Sequence, residues 1–211
     1  MRILITAGPT RESLDPMRFL SNRSTGKMGY ALAEAAVAAG LKTVLVSGPC
    51  SLPPPEGLEK LIPVVSAAEM ADAVKAEFEN ADAAIMCAAV ADYRPKTFSA
   101  SKIKKSEGSF FLELERTEDI LASLGKMKRS GQILIGFAAE TDDLEQNALG
   151  KLQRKNLDWI AANRLDLPGQ GAESSTNTVI LYSSDGRKYD IPLASKHSVA
   201  ESILRITGLS R

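Results

Sequence analysis

The chain of 211 residues has little cysteine, histidine or tryptophan and no excess of either charge: two Cys, one His, one Trp, and 26 basic side chains against 26 acidic ones. Each scarcity excludes a class of protein. Two cysteines, Cys50 in a proline-rich turn and Cys87 inside an apolar run, cannot form the disulfide framework of a small secreted fold, so both are expected to be unpaired thiols of a reduced, cytoplasmic protein. The lone His197 lies in a helical pattern near the C-terminus and is expected to be a solvated helix residue. It leaves no Cys/His metal spacing and no Ser-His-Asp set. Balanced charge argues against a general nucleic-acid or membrane-surface binder. No apolar run reaches spanning length, and no signal-peptide pattern is expected. What is present is an apolar content of 44 %, enough to bury the core of one domain over residues 1–211.

Hydrophobic runs and their punctuation predict alternating strands and helices. Ile3 to Ala7 reads as a buried first strand, followed after a long polar connection by a small-residue helix from about Gly26 to Ala39, with Gly40 as its stop. Thr43 to Val46 is a second strand. Leu61 to Val65 is a third, placed at a sheet edge by Pro63, and Ser66 with Glu69 forms a capping box for the helix after it. Ala84 to Val90, Ile133 to Phe137 and Leu157 to Ala162 are further apolar strands, with a helix from about Asp143 to Lys155 between the last two. Continuous apolar strands belong to parallel sheets covered on both faces. The expected fold is therefore α/β: a Rossmann-like, doubly wound, mostly parallel sheet with helices on both faces. A C-terminal β-hairpin extension over about 176–192, turning at Asp185-Gly186, precedes a closing helix from Ser195 to Ile206.

The connection from Gly8 to Gly29 is the most informative stretch. A βα loop usually needs only about 2 to 6 residues. This one carries Arg11, Arg18, Asn22, Arg23, Ser24, Thr25 and Lys27 up to a helix N-terminus, where unpartnered N–H groups and the helix dipole favour anions. It is neither of the two familiar phosphate loops. A dinucleotide fingerprint would need more than the single Gly8 at the strand end, and a Walker loop would need glycine at Ser21 and a hydroxyl at Met28. A surface loop that only caps the helix is the plain alternative.

Other polar groups fall at strand ends on the same sheet edge, where open α/β sheets bind ligands. Asp92-Tyr93 follows the alanine-rich strand, and the segment from Phe137 to Thr141 ends another. Small residues at Ala88, Ala89, Ala91, Ala138 and Ala139 suit either close approach to a flat ligand or tight helix-sheet packing. Arg94 to Gly108, with Lys96, Lys102, Lys104 and Lys105, is a candidate lid over phosphates or a solvated charge run. Lys151 and Lys155, four apart, are expected to share a helix face.

Taken in order, Gly8-Pro9-Thr10, Asp15-Pro16, Arg18 to Gly29, Ala88 to Tyr93, Lys102 to Lys105, Gly136 to Thr141 and Lys155 to Asp158 resemble the bacterial phosphopantothenoylcysteine synthetase family over nearly the whole chain. The resemblance implies a ligase of coenzyme A biosynthesis. In that family CTP activates the carboxylate of 4'-phosphopantothenate, releasing pyrophosphate, and the amine of L-cysteine then attacks the acyl-cytidylate to give 4'-phosphopantothenoyl-cysteine and CMP. It implies Mg2+ with the nucleotide, with no ligands assigned. Asn22 matches the asparagine at the acyl-cytidylate, with Arg18 one helical turn earlier as its companion, and Ala88 and Lys102 match residues around the intermediate and its mobile loop. Gly8, Asp92, Phe137, Lys151 and Lys155 match the nucleotide site. Thr117-Glu118-Asp119-Ile120 stands where related chains have Asn-Pro-Asp-Ile, which keeps Asp119 and Ile120 as nucleotide contacts. The resemblance further implies a homodimer, with the hairpin after Asn177 as a candidate contact, and a flavin-dependent phosphopantothenoylcysteine decarboxylase as a fused or separate partner. Nothing in the chain resembles that decarboxylase.

Two other readings remain open on the residues. A dinucleotide-dependent oxidoreductase is disfavoured by the missing glycine fingerprint and by Ser47-Gly48-Pro49, where an acidic residue would end the second strand. A non-catalytic nucleotide-binding module would have no use for Asn22 and Lys102.

Overall fold

Alternation at period two sends the residues of each central strand to opposite faces of one sheet. In the computed structural model, which describes residues 1–105, 107–140, 143–164 and 171–210, strand β1 (Arg2–Ala7) puts Ile3, Ile5 and Ala7 into one core and Leu4 into another. The opening connection contains a small hairpin of β2 (Arg11–Ser13) and β3 (Phe19–Ser21) before α1 (Lys27–Ala38). Then come β4 (Lys42–Ser47), β5 (Lys60–Pro63), α2 (Ala67–Phe78) and β6 (Ala83–Met86). A second hairpin joins β7 (Tyr93–Pro95) to β8 (Leu114–Arg116), followed by α3 (Ile120–Met127). The chain closes with β9 (Ile133–Glu140), α4 (Leu144–Arg154), β10 (Trp159–Arg164), β11 (Thr176–Ser183), β12 (Lys188–Ser195) and α5 (Lys196–Ile206).

The main sheet has the order β12-β11-β10-β9-β6-β1-β4-β5, parallel from β5 to β10 and antiparallel at β11 and β12. Helices α1 and α5 cover the face holding Ile3, Ile5, Leu45, Ile85 and Ile135; α2, α3 and α4 cover the face holding Leu4, Val44, Ala84 and Leu134. Both faces are thus buried, as continuous apolar strands require. Pro63 does sit in the edge strand β5, and half of the expected capping box forms: Ser66 Oγ accepts from the Glu69 N–H at 3.2 Å, whereas the Glu69 carboxylate accepts from the Val65 N–H, one residue before the cap, at 2.7 Å.

Several expectations change. The hairpin starts at the expected position but its second strand runs past 192 to Ser195, and its two strands extend the main sheet itself. The alanine-rich strand pairs only as far as Met86 because threonine hydroxyls, not a neighbouring strand, take up the next N–H groups. Helix α3 and the β7-β8 hairpin carried no clear periodic signal, being short. Thr141 and Asp142, expected to lead into α4, lie outside the described residues.

Two glycines position the site. Gly8 has φ +77°, and a Cβ there would come within 2.8 Å of the Gly48 carbonyl oxygen. At Gly29 an added Cβ would sit 2.5 Å from the Ala7 Cβ, so glycine lets α1 press against β1 and brings its N-terminus to the strand end.

Candidate active site

Strands β4 and β6 flank β1 on opposite sides, so the chain reverses its direction of winding there, and ligand crevices form at the carboxyl ends of strands at such a point. A cavity of about 1150 Å³ opens at that place, lined by β3 and the residues after it, by residues 86–93, by 116–121, and by Phe137, Ala139 and Lys155. A second concavity, of about 870 Å³, is lined by α4 and its leading residue, with no convergence of elements.

The first wall is held by uncharged hydrogen bonds. Thr6, fully buried at the end of β1, accepts from the N–H groups of Cys87 and Ala88 at 3.1 and 3.0 Å. Thr10, also fully buried, accepts from the Ala91 N–H at 3.0 Å, and its own N–H donates to the Ala89 carbonyl at 3.3 Å. The segment after β6 is thereby fastened to the segment after β1. Asn22 closes the wall: its amide nitrogen donates to the Ala89 carbonyl at 2.5 Å and its amide oxygen accepts from the Ser24 N–H at 3.1 Å. The residue that caps α1 is Gly26, without a side-chain hydrogen bond, so Asn22 is not that helix's cap.

The opposite wall is built from ion pairs. Asp119 caps α3 by accepting from the Ala122 N–H at 3.0 Å and pairs with Lys155 at 2.9 Å. Burial pushes its carboxyl up, but the Lys155 and Ala122 hydrogen bonds and the charges of Lys155 and Lys151 outweigh that and hold it below the ordinary carboxylate value. Glu118 pairs with Lys75 at 2.6 Å, and Thr117 donates its hydroxyl to the Ala91 carbonyl at 2.5 Å, joining the two walls. Asp92 faces the cavity and makes no side-chain hydrogen bond among the described residues.

The sequence-predicted residues are thus partly gathered. Asn22, Ala88, Asp92, Asp119, Ile120, Phe137 and Lys155 all line the one cavity. Gly8 shapes its floor through the backbone, its carbonyl accepting from the Ala89 N–H at 2.9 Å. Arg18 is not a helical companion of Asn22, because the residues between them form β3. Its guanidinium instead pairs with the buried Asp15 at 2.5 Å and donates to the Ile103 carbonyl at 2.7 Å, while the Ile103 N–H donates to Asp15 at 3.0 Å. Arg18 and Asp15 latch the candidate lid at its middle, and the neighbouring Lys102 is exposed outside the cavity lining. Lys155 follows the last residue of α4, one turn beyond Lys151, and only Lys155 lines the cavity. Ala138 turns into the core, so its small size serves packing.

Thr6, Thr10 and Lys196 were missed from sequence. The signal for the threonines was a hydroxyl in or just after an otherwise apolar strand; Lys196, buried against the cavity, read as one more polar position of a closing helix. Both cysteines are free thiols, as expected, and burial pushes Cys87 up to about 12. His197 is exposed, as expected for a solvated helix residue. No helix among the described residues is long and apolar enough to cross a membrane.

A Rossmann-like sheet with a wide cavity at its switch point defines an α/β protein of the doubly wound class. Within that class, residues 1–208 match the DNA/pantothenate metabolism flavoprotein C-terminal domain, and the chain belongs to this family. It is 52 % identical over 210 residues to the coenzyme A biosynthesis bifunctional protein CoaBC of Bacillus subtilis, covering 99 % of this chain and 52 % of that protein. It is 44 % identical over 207 residues to the CoaBC protein of Escherichia coli, covering 97 % of this chain and 50 % of the other. The chain therefore spans about half the length of the curated relatives it matches. Among solved structures, the C-terminal domain of a CoaBC protein superposes with a TM-score of 0.83 at 46 % identity, covering 99 % of this chain and 94 % of that one. A flavoprotein of the same description from Streptococcus pneumoniae shares the fold at 21 % identity, with a TM-score of 0.82, covering 99 % of each chain.

Proposed function

We propose that this chain is the CTP-dependent phosphopantothenate–cysteine ligase of coenzyme A biosynthesis. The observation that carries the reading is that Asn22, Ala88, Asp119, Phe137 and Lys155 line one cavity; we assign the wall of Asn22 and Ala88 to the acyl group and the wall of Asp119, Phe137 and Lys155 to the nucleotide. Relatives named for coenzyme A biosynthesis support it. In the first step a carboxylate oxygen of 4'-phosphopantothenate attacks the α-phosphorus of CTP, and the bond to pyrophosphate breaks. In the second, the cysteine amine attacks the acyl carbon, CMP leaves with the bonding electron pair, and the amine proton passes to solvent.

The chain's part is positioning and charge stabilisation. The Asn22 amide has no useful pKa and cannot act as a base; it holds the mixed anhydride and donates toward the carbonyl oxygen as that atom gains charge. Lys155, poised on Asp119, exchanges a carboxylate partner for the nucleotide. The exposed Lys102 comes over the phosphates when the lid closes. Magnesium would neutralise triphosphate charge. No group of three or more His, Cys, Asp or Glu among the described residues could cage a metal, which suits an ion that arrives on the phosphates and takes one carboxylate, here Asp92. We read the assembly as a cytoplasmic homodimer in which the exposed edge strand β12, with Tyr189 and Leu193 outward, contributes to the contact. We read a flavin-dependent phosphopantothenoylcysteine decarboxylase as the fused or separate partner of this chain, which spans about half of its bifunctional relatives.

Incubating the protein with CTP, magnesium, 4'-phosphopantothenate and L-cysteine and following pyrophosphate tests the reading. Cysteine-dependent product with CTP well ahead of ATP is expected. Equal turnover with ATP would remove the cytidine assignment.

A further inference from the structure

Lys196 is the one lysine among the described residues that is buried, with 6 % of it exposed. It is the first residue of α5, where the helix dipole disfavours a cation. Its ammonium donates to the carbonyl oxygens of Gly171 and Ala172 at 3.1 and 3.0 Å and meets no carboxylate among the described residues. Its charged surroundings are Lys27, a like charge, and the neutral Cys87 thiol; burial, then Lys27, lowers its proton affinity. A buried cation without an opposite charge is costly and needs a functional or structural reason.

The location supplies one. Lys196 lines the cavity, and the bend at residues 171–173 that it holds meets the head of α1: the Thr25 hydroxyl donates to the Ala172 carbonyl at 2.7 Å and Lys27 Nζ to the Glu173 carbonyl at 2.6 Å. The α1 N-terminus there has no side-chain cap and no acidic residue in its first turn. Two cations and a helix head converge, and among the described residues only neutral carbonyl oxygens are set against the two ammonium groups. We propose that Lys196, backed by Lys27, is a binding residue for a phosphate group of the substrates, its charge kept for that ligand by neutral carbonyl partners. The choice of ligand rests on the ligase reading. That reading offers two sources of the same chemistry, the nucleotide triphosphate and the phosphomonoester of 4'-phosphopantothenate.

Calorimetric titration of the intact protein with inorganic pyrophosphate tests this without turnover. Lys196→Met and Lys196→Gln should each weaken pyrophosphate binding by roughly tenfold to 100-fold, the usual value of a charge-assisted hydrogen bond, while circular dichroism stays unchanged. The glutamine can still donate to the two carbonyls, so wild-type affinity in Lys196→Gln would mean that Lys196 only clasps residues 171–172, and would overturn the proposal. Repeating the titration with CTP and with 4'-phosphopantothenate assigns the source: the weakened ligand is the one whose phosphate sits there. Should neither variant fold, ζ-15N lysine spectra of the wild type replace them. A protected ammonium signal that shifts with pyrophosphate supports the site, and one that does not move refutes it. If pyrophosphate binding depends on Lys196 but no ligase product forms, the ligase reading fails and the phosphate site stands.

Discussion

The two walls of the cavity are made differently. The wall of Asn22 and residues 87–91 is held by threonine hydroxyls, an amide and backbone groups, so nothing in it titrates near neutral pH and its atoms are fixed before any ligand arrives. The wall of residues 117–119 and Lys155 is held by ion pairs on partly exposed side chains, which a polyanion can displace at small cost. Under the proposed ligase function the contrast divides the labour. Rigid neutral donors suit a developing oxyanion, whose stabilisation requires that no group reorganise during the step. Exchangeable cations suit a nucleotide that must bind and leave.

The comparison breaks most sharply at Asn22. In Asn22→Asp a carboxylate oxygen would face the Ala89 carbonyl at the 2.5 Å position now taken by the amide nitrogen, and a donor would become a negative charge. CTP binding and pyrophosphate release are expected to persist, product formation to fall by roughly 100-fold or more, and acyl-cytidylate to accumulate. A mass-spectrometric time course checks this. Normal cysteine-dependent product would end the catalytic role.

Lys102→Gln examines the lid. Both half-reactions should slow by up to about 100-fold if the lysine closes over phosphate. Stability should move by no more than about 0.5 kcal/mol, because the side chain is exposed. Pyrophosphate release and a thermal melt measured together separate the two effects, and wild-type turnover would make the cluster a solvated face.

On the charged wall, Lys155→Met should raise the nucleotide KM by roughly tenfold, the value of one charge-assisted hydrogen bond, with a smaller change in kcat. The same substitution should let the Asp119 carboxyl titrate higher, visible by carboxyl-selective NMR. An unchanged KM would place nucleotide recognition elsewhere.

The smallest effect on turnover is expected at the latch. The Arg18 guanidinium, the Ile103 N–H and two further N–H groups hold the Asp15 carboxyl well below its ordinary 3.8. A carboxyl lowered in the folded state contributes stability that is complete above 3.8 and fades as pH falls below it. The Ile103 amide should therefore stay protected from hydrogen exchange down to pH 3.8 in the wild type, and lose protection at neutral pH in Asp15→Asn. Equal protection in the two would show that Arg18 and Asp15 do not hold the lid.

By itself the sequence determined the sheet, its edge and most of the strand-helix order. Continuous apolar strands, a capping box at Ser66 and Glu69, Pro63 and the Asp185-Gly186 turn are local patterns, and local geometry follows from them. It also determined family membership, and with it Asn22, Ala88, Asp119, Phe137 and Lys155 as residues that meet in one cavity. Tertiary structure alone decided the partners. Arg18 lies four residues from Asn22 yet spends its charge on Asp15 and on residue 103, because a short hairpin replaces the expected helical turn. Thr6 and Thr10 became anchors of the segment after β6, 81 residues away for Cys87 and Ala91, and Lys196 became a buried cation beside α1, because sheet order brings distant strand ends together. Periodicity records which face of an element is apolar, not which polar group from across the sheet will meet it.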